Sequence, residues 1–154
     1  MINIIDGGIM IHNILVNAEM RRQVFIQSDL IKYVTKEFDQ SYVQYYLQPQ
    51  RIGNNYFNVN ITFTPEGRIM MISMSIYDGK PPSWEDWSEE KEQKKKIVHD
   101  QLLQQALGEP PYNYEWGNIS SAFSPQSGSS SIDNRDKKDT LTAYIQYHAG
   151  NCFP

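Results

Sequence analysis

Two neighbouring stretches in the middle of the chain alternate between hydrophobic and polar residues. In residues 56–64 the hydrophobic positions are Phe57, Val59, Ile61 and Phe63, and the polar positions between them are Asn58, Asn60 and Thr62. In residues 69–77 one side carries Met70, Ile72, Met74 and Ile76. Such alternation is typical of a strand with one buried and one solvent-facing side. Pro65 and Gly67 separate the stretches at positions that favour a turn, so the pattern predicts an antiparallel hairpin.

A long amphipathic helix is predicted after this hairpin. Ser83 and Ser88 are both candidate N-caps, and acidic residues follow them where they complement the helix dipole. The predicted apolar stripe consists of Val98, Leu102 and Ala106, flanked by Leu103 and Leu107. Gly108 then supplies a C-terminal cap, and the prolines that follow prevent continuation of the helix.

The N-terminal third has weaker patterns. Residues 8–16 are mostly apolar and β-branched and predict one strand, and residues 18–27 predict a short helix. Residues 28–38 fit either a helical or a strand period, so both alternatives stay open. Residues 42–48 predict a further strand that Pro49 ends.

The C-terminal third is predicted to hold two paired strands joined by a long loop. The first strand begins with the alternating aromatic residues Tyr112, Tyr114 and Trp116, and Gly117 marks a β-bulge in it. Residues 124–139 are rich in Ser, Gly and Asp and predict a mobile loop. Residues 141–147 alternate again and predict a closing strand paired with residues 113–123, and residues 149–154 are predicted to be a loose tail.

The resulting order of elements is β-α-βββ-α-ββ. It predicts a single α+β domain over residues 1–154 with a mainly antiparallel sheet and two helical segments. A chain of 154 residues is long enough to bury a core of its own. The side chains predicted to fill that core are Phe57, Val59, Ile61, Phe63, Ile72, Met74, Val98, Leu102, Ile119 and Ile145.

Charge and cysteine usage narrow the classes of partner. The chain has a formal charge of −4 and a pI of about 5.3. This disfavours nucleic acid, because phosphate binding needs a basic surface, and it favours a basic protein partner. The single cysteine, Cys152, cannot form an internal disulfide. No stretch approaches the roughly 20 apolar residues of a membrane span, and no signal-peptide pattern occurs, so we expect a cytoplasmic protein without a membrane partner.

Residues that could carry out chemistry are few. The histidines His12, His99 and His148 lack metal-ligand spacing, and His99, next to Asp100, is interpreted as a solvated helix residue. The aspartates Asp133, Asp136 and Asp139 lack the glycine and distal glutamate of a calcium loop, which favours a solvated loop over a cation site. We therefore expect no cofactor, no metal and no enzymatic activity. An enzyme using His99, Asp100 and a tyrosine would need a cleft that brings them together.

Two tryptophans stand among acidic residues at the beginning of the predicted long helix. Trp84 and Trp87 are three residues apart, which suits a hydrophobic lid over the core. The same pair suits a partner-binding edge, because exposed tryptophans are strong interface anchors. The sequence leaves both interpretations open.

Residues 107–131 read LGEPPYNYEWGNISSAFSPQSGSSS and follow a charged helix and a hairpin. This block resembles small immunity proteins of bacterial polymorphic toxin systems, in particular those of contact-dependent growth inhibition. The likeness is closest in residues 107–123 and extends in general pattern over residues 56–148. It implies a small, non-catalytic cytoplasmic protein that neutralises a cognate toxin domain, often a basic nuclease, by occluding its active site.

The resemblance transfers no site residues, so the expected toxin-binding surface is chosen from charge and aromatic character. It consists of Asp78, Trp84, Glu85, Asp86, Trp87, Glu89 and Glu90. A second candidate surface is formed by Asp133, Asp136 and Asp139. The alternative function is a structural or regulatory domain, either a protein-binding module or an oligomeric accessory protein, that acts through the polar side of its sheet.

Overall fold

The computed structural model describes residues 7–81, 83, 85–124 and 129–136 of the chain. It confirms an α+β fold dominated by antiparallel strands. The strands are β1 (Ile9–Ile11), β2 (Ile14–Val16), β3 (Val34–Asp39), β4 (Val43–Ile52), β5 (Asn55–Phe63), β6 (Ile69–Ile76), β7 (Tyr112–Asn113), β8 (Gly117–Ser124) and β9 (Ser129–Asp136). The helices are α1 (Arg22–Gln27), a 3-10 helix (Asp29–Tyr33) and α2 (Glu89–Leu107).

Seven of these strands form one sheet in the order β3-β4-β5-β6-β9-β8-β7, and all neighbours are antiparallel. The predicted central hairpin is confirmed as β5 and β6, with Val59 opposite Met74 and Ile61 opposite Ile72. Gly67 has a φ of 78° in the connecting turn, a conformation that glycine adopts without steric cost.

One face of the sheet is apolar and is covered by the other elements. Phe25 of α1 is fully buried and packs against Tyr45 and Phe63, with ring centroids 4.9 and 5.6 Å apart. Leu103 of α2 belongs to the same hydrophobic core. Of the predicted core residues, Phe57, Val59, Ile61, Phe63, Ile72, Met74 and Ile119 are buried. Ile145 lies outside the described residues.

The other face of the sheet is polar. Asn58, Asn60, Ser73 and Ser75 lie on it and are half-buried. Thr62 on the same face is fully buried. The face predicted to be an open polar surface is therefore only partly accessible at its centre.

The N-terminal strand and helix predictions need correction. Residues 8–16 form the small antiparallel hairpin β1–β2 instead of one strand, because His12 and Asn13 turn the chain with φ values of 47° and 64°. The first helix begins at Arg22 and not at 18, since Asn17 accepts a hydrogen bond from the backbone of Met20 and forms a separate turn.

Pro49 does not end the strand that precedes it. β4 runs through Pro49 to Ile52, and its register with β5 shifts between Leu47 and Gln50. A bulge removes the need for a ladder hydrogen bond at the proline, which has no N–H to donate. The ambiguous residues 28–38 divide into the 3-10 helix and β3.

The strand predicted from Tyr112 through a bulge at Gly117 is a reversal of the chain. β7 contains two residues and pairs with β8, and the backbone of Tyr114 donates to the carbonyl of Gly117 at 2.8 Å. Tyr114 and Trp116 stack in this turn with ring centroids 5.1 Å apart. The alternation of aromatic residues therefore reflects a stacked turn and not a continuous strand.

The prediction of a mobile loop over residues 124–139 is wrong for its central part. β9 occupies Ser129–Asp136 and pairs with β6 on one side and β8 on the other. Ile132 is 2% exposed and supplies the apolar contact that fixes this strand in the sheet. The predicted strand at 141–147 and the tail at 149–154 lie outside the described residues.

The second helix ends where the sequence predicts, but the side of it that is buried differs from the prediction. Ser88 is the N-cap and accepts from the backbone of Lys91, whereas Ser83 only accepts from Glu85 in a local turn. Gly108 ends the helix with a φ of 85°. Val98 is 39% exposed and Ala106 is exposed, while Leu102 and Leu107 are partly buried.

No helix among the described residues is long and apolar enough to cross a membrane.

Candidate functional site

The connection from β6 to α2, residues 77–88, brings most of the predicted partner-binding residues together. We call it the β6–α2 segment. Together with the first turn of α2 it carries Asp78, Glu85, Asp86, Trp87, Glu89 and Glu90, all exposed. Trp84 lies outside the described residues. The segment borders a cleft of about 210 Å³ whose wall includes Asp78, Pro81, Asp86 and Trp87 on the segment and Lys91 and Lys95 on α2.

Trp87 is the most prominent apolar side chain of this surface. It is 42% exposed, although it lines the cleft. An indole in this position offers a large flat contact area to a partner. The observed exposure favours the partner-binding interpretation of Trp87 over the interpretation as a closed core lid.

The carboxylates around Trp87 differ in whether a lysine side chain lies close enough to pair with them. Glu90 pairs with Lys94 at 2.7 Å, and Asp86 lies 4.0 Å from Lys80. Glu85 and Glu89 have no cationic partner among the described residues. The surface therefore keeps an excess of negative charge next to an exposed aromatic ring.

A buried carboxylate on the inner side of α2 fixes the helix to the sheet. Glu92 is 8% exposed, and its Oε2 accepts from the backbone N–H of Ser130 at 2.8 Å. Its backbone carbonyl accepts from the hydroxyl of Ser130 at 2.6 Å. Lys95 donates to the other oxygen of Glu92 at 2.9 Å and lies 3.8 Å from Asp78. These contacts connect β9, α2 and the beginning of the β6–α2 segment.

His99 is not the solvated helix residue that the sequence predicts. It is fully buried, and its Nε2 accepts from the backbone N–H of Ile76 at 3.0 Å. Burial lowers its pKa from 6.5 to about 4, although the nearby carboxylates of Glu92 and Asp100 act in the opposite direction. The imidazole is therefore neutral at pH 7, and it is a structural acceptor in the interface between α2 and β6.

The hydrophobic pattern does not predict the buried contacts of Glu92 and His99, because it places the apolar stripe of α2 on the wrong side of the helix. Glu92, His99 and Leu103 are the three buried residues of this helix. Their spacings of seven and four residues put them on one face. That face contains two ionisable groups, so hydropathy alone does not reveal it, but the helical spacing of the three residues would have been a usable signal.

The second candidate surface is not assembled as predicted. Asp133 is 8% exposed and accepts hydrogen bonds from Ser73 at 2.7 Å and Ser131 at 2.9 Å. This carboxylate is part of the sheet and is not a solvated loop residue. Asp136 is the last residue of β9 and pairs with Gly117, and Asp139 lies outside the described residues.

The residues of the hypothetical enzyme site do not converge. Asp100 accepts from Lys96 at 2.7 Å, while the accepting nitrogen of His99 faces the backbone of Ile76. Within the part of the chain that the structure describes, no three His, Cys, Asp or Glu side chains are grouped as metal ligands would be. The best-formed candidate site is therefore the surface around Trp87.

No protein-family model, no curated protein and no solved structure matches this chain.

Proposed function

We propose that this chain is an immunity protein that binds a cognate toxin domain and occludes its active site. The observation that carries the proposal is the exposed Trp87 beside Glu85 and Glu89, two exposed carboxylates without a cationic partner in the described part of the chain. A buried tryptophan at the centre of an interface is among the side chains that contribute most to affinity. The resemblance of residues 107–131 to immunity proteins supports the same function.

The mechanism follows from the charge of the surface. Carboxylates around Trp87 attract a basic partner over distances of about a Debye length, which raises the association rate. The indole of Trp87 then packs against the partner and gives the complex a slow dissociation rate. A nuclease domain is a suitable partner because its substrate-binding surface is basic, and covering that surface blocks its substrate sterically.

The test begins with the gene upstream of the one encoding this chain. A large secreted protein with a variable C-terminal domain would supply the partner, and that purified domain would be titrated against this chain by calorimetry. We expect a 1:1 complex whose association rate falls with added salt. Absence of binding, or binding without protection of cells that express the toxin domain, would refute the proposal.

Matched variants locate the surface. Trp87→Ala should weaken binding at least tenfold, because loss of an interface tryptophan costs roughly 2 kcal/mol or more. Ile97→Ala is the control, since Ile97 is 55% exposed on α2 and lies outside the proposed surface. Glu89→Lys should slow association, whereas Glu19→Lys changes the net charge equally at an exposed position outside this surface.

A second candidate is self-association through the hairpin β1–β2. Met10 and Leu15 are cross-strand neighbours on its outer side and are 47% and 39% exposed. Such a pair of adjacent large apolar side chains favours a contact with a second copy of the chain. Light scattering after gel filtration tests this, because a dimer that Met10→Ser and Leu15→Ser dissociate would support self-association, and a monomer at all concentrations would exclude it.

A further inference from the structure

The side of α2 that faces the sheet is polar where the helix approaches the β6–α2 segment. Glu92 and His99 are buried there, and Leu103 is the one buried apolar residue of the helix. Two exposed apolar residues, Ile97 and Val98, lie on the other side. Docking of this part of α2 therefore depends on specific hydrogen bonds more than on apolar burial.

His99 has an energetic cost that packing does not explain. Nε2 accepts from Ile76, so the proton of the neutral ring is on Nδ1. Nδ1 is buried and has no hydrogen-bond partner among the residues that the structure describes. A buried donor without an acceptor destabilises the folded state, so a purely structural contact does not explain the presence of His99.

The hydrogen bond of His99 fixes the beginning of the β6–α2 segment, which we call its root. Ile76 is the last residue of β6, and the segment begins at the next residue. One helical turn before His99, Lys95 lies 3.8 Å from Asp78. His99 and Lys95 thus fix the first part of the segment from the same face of α2, while Ser88 begins the helix at the other end of the segment.

We infer that His99 is a positioning residue for the β6–α2 segment, and that protonation of its imidazole releases the root of the segment from α2. A protonated ring has an N–H on Nε2, which would face the backbone N–H of Ile76 at hydrogen-bond distance. The acceptor is then lost, and the two donors repel each other. This inference deepens the proposed function, because the released segment is the one that carries Trp87, but the release itself does not depend on a partner.

The charged groups around His99 set the conditions for release. Glu92 and Asp100 on α2 and Asp133 on β9 favour the protonated ring, and Lys95 on α2 opposes it together with burial. The partial compensation by three carboxylates allows the imidazolium to form in the folded protein under acid conditions. Release is therefore expected below the usual range of histidine titration.

The experiment is an NMR titration of the free protein from pH 7.5 to 3.5. We expect the imidazole signal of His99 to titrate with the same midpoint as the backbone signals of Ile76 and Asp78 and the indole signal of Trp87. The protection factor of the Ile76 amide, which corrects for the slower intrinsic exchange at low pH, should fall at least tenfold below that midpoint. Titration of His99 without these changes at Ile76 would overturn the inference.

Two substitutions separate positioning from general stability. His99→Gln keeps an acceptor at nearly the same reach but does not titrate in this range, so the coupled changes at Ile76 and Trp87 should disappear. His12→Gln is the control, since His12 is an exposed histidine of the β1–β2 turn, and the coupled changes should persist. An unchanged midpoint in His99→Gln would contradict the inference.

A failure of the inference about His99 can be distinguished from a failure of the proposed immunity function. The titration uses the protein alone, so a coupled transition without any toxin binding would remove only the immunity proposal. Binding without a coupled transition would remove only the role of His99. If His99→Gln does not fold, the exchange rate of the Ile76 amide in the unmodified protein still decides the question.

Discussion

Replacement of Glu92 by alanine is the most informative test of how α2 is held on the sheet. The carboxylate accepts from the backbone of Ser130 at 2.8 Å and from Lys95 at 2.9 Å. Its removal leaves the Ser130 N–H inside the structure without that acceptor, which costs about 1–3 kcal/mol. Loss of the partly screened ion pair with Lys95 adds about 0.5–1 kcal/mol. We expect a total destabilisation of about 2–4 kcal/mol.

The assay is urea unfolding and thermal unfolding at pH 7, each followed by circular dichroism. A loss of this size should lower the melting temperature by roughly 5–12 °C in a chain of this length. Glu92→Gln keeps an oxygen acceptor for Ser130 and should lose only about 1 kcal/mol. Hydrogen exchange at the Ser130 amide should accelerate in the alanine variant and much less in the glutamine variant.

Glu90 provides a matched control on the same turn of α2. Its side chain is 78% exposed and pairs with Lys94 at 2.7 Å, so Glu90→Ala should leave the urea-unfolding midpoint nearly unchanged. Equal effects of Glu92→Ala and Glu90→Ala would show that the buried carboxylate does not stabilise the fold, and the anchoring argument would be refuted.

Three further outcomes follow from the described packing. Folding lowers the pKa of His99 from 6.5 to about 4. The contribution of the neutral imidazole to stability is therefore complete above pH 6.5 and is lost as the pH falls from 6.5 towards 4. Urea unfolding at pH 7 and 4.5 should show a loss of roughly 2–3 kcal/mol, and His99→Gln should abolish this loss. Phe25→Ala should cost about 3–5 kcal/mol in urea unfolding, whereas Val24→Ala, at a position that is 54% exposed, should cost little, and equal losses would contradict the packing. Ile132→Ala should cost about 2–4 kcal/mol, and a negligible change in melting temperature would show that β9 is not part of the folded sheet.

The sequence predicts those elements whose local pattern agrees with their environment. β5 and β6 alternate over residues 57–61 and 72–76 on either side of a turn with Gly67, so their register in this part follows from the pattern, whereas the shift between Thr62 and Phe63 does not. The end of α2 follows from Gly108, which adopts a positive φ. In such cases neighbouring residues along the chain already contain the information that the sheet or helix requires.

The sequence fails where distant residues determine the structure. β9 resembles a loop because its polar residues are satisfied by other strands, as with Ser73 and Asp133, which are 60 residues apart in the chain. The sequence does not show which face of α2 is buried. Val98 and His99 are adjacent in the helix, and only the position of Ile76 decides which of the two side chains faces inward. The candidate site around Trp87 was predicted as a group of residues, but its anchoring by Glu92 and His99 was not.

The position of β9 has a consequence for the order in which the chain folds. β3 to β6 form a meander of neighbouring strands whose contacts are local in sequence, and such contacts form early. Among the described residues, β9 covers the edge of β6 that β5 leaves open, and β9 is synthesised after α2, β7 and β8. During synthesis a ribosome-bound chain ending before residue 129 therefore presents an incomplete sheet with the backbone of Met71–Met74 exposed at its edge. An unpaired edge of this kind favours pairing with another nascent copy or recognition by a chaperone.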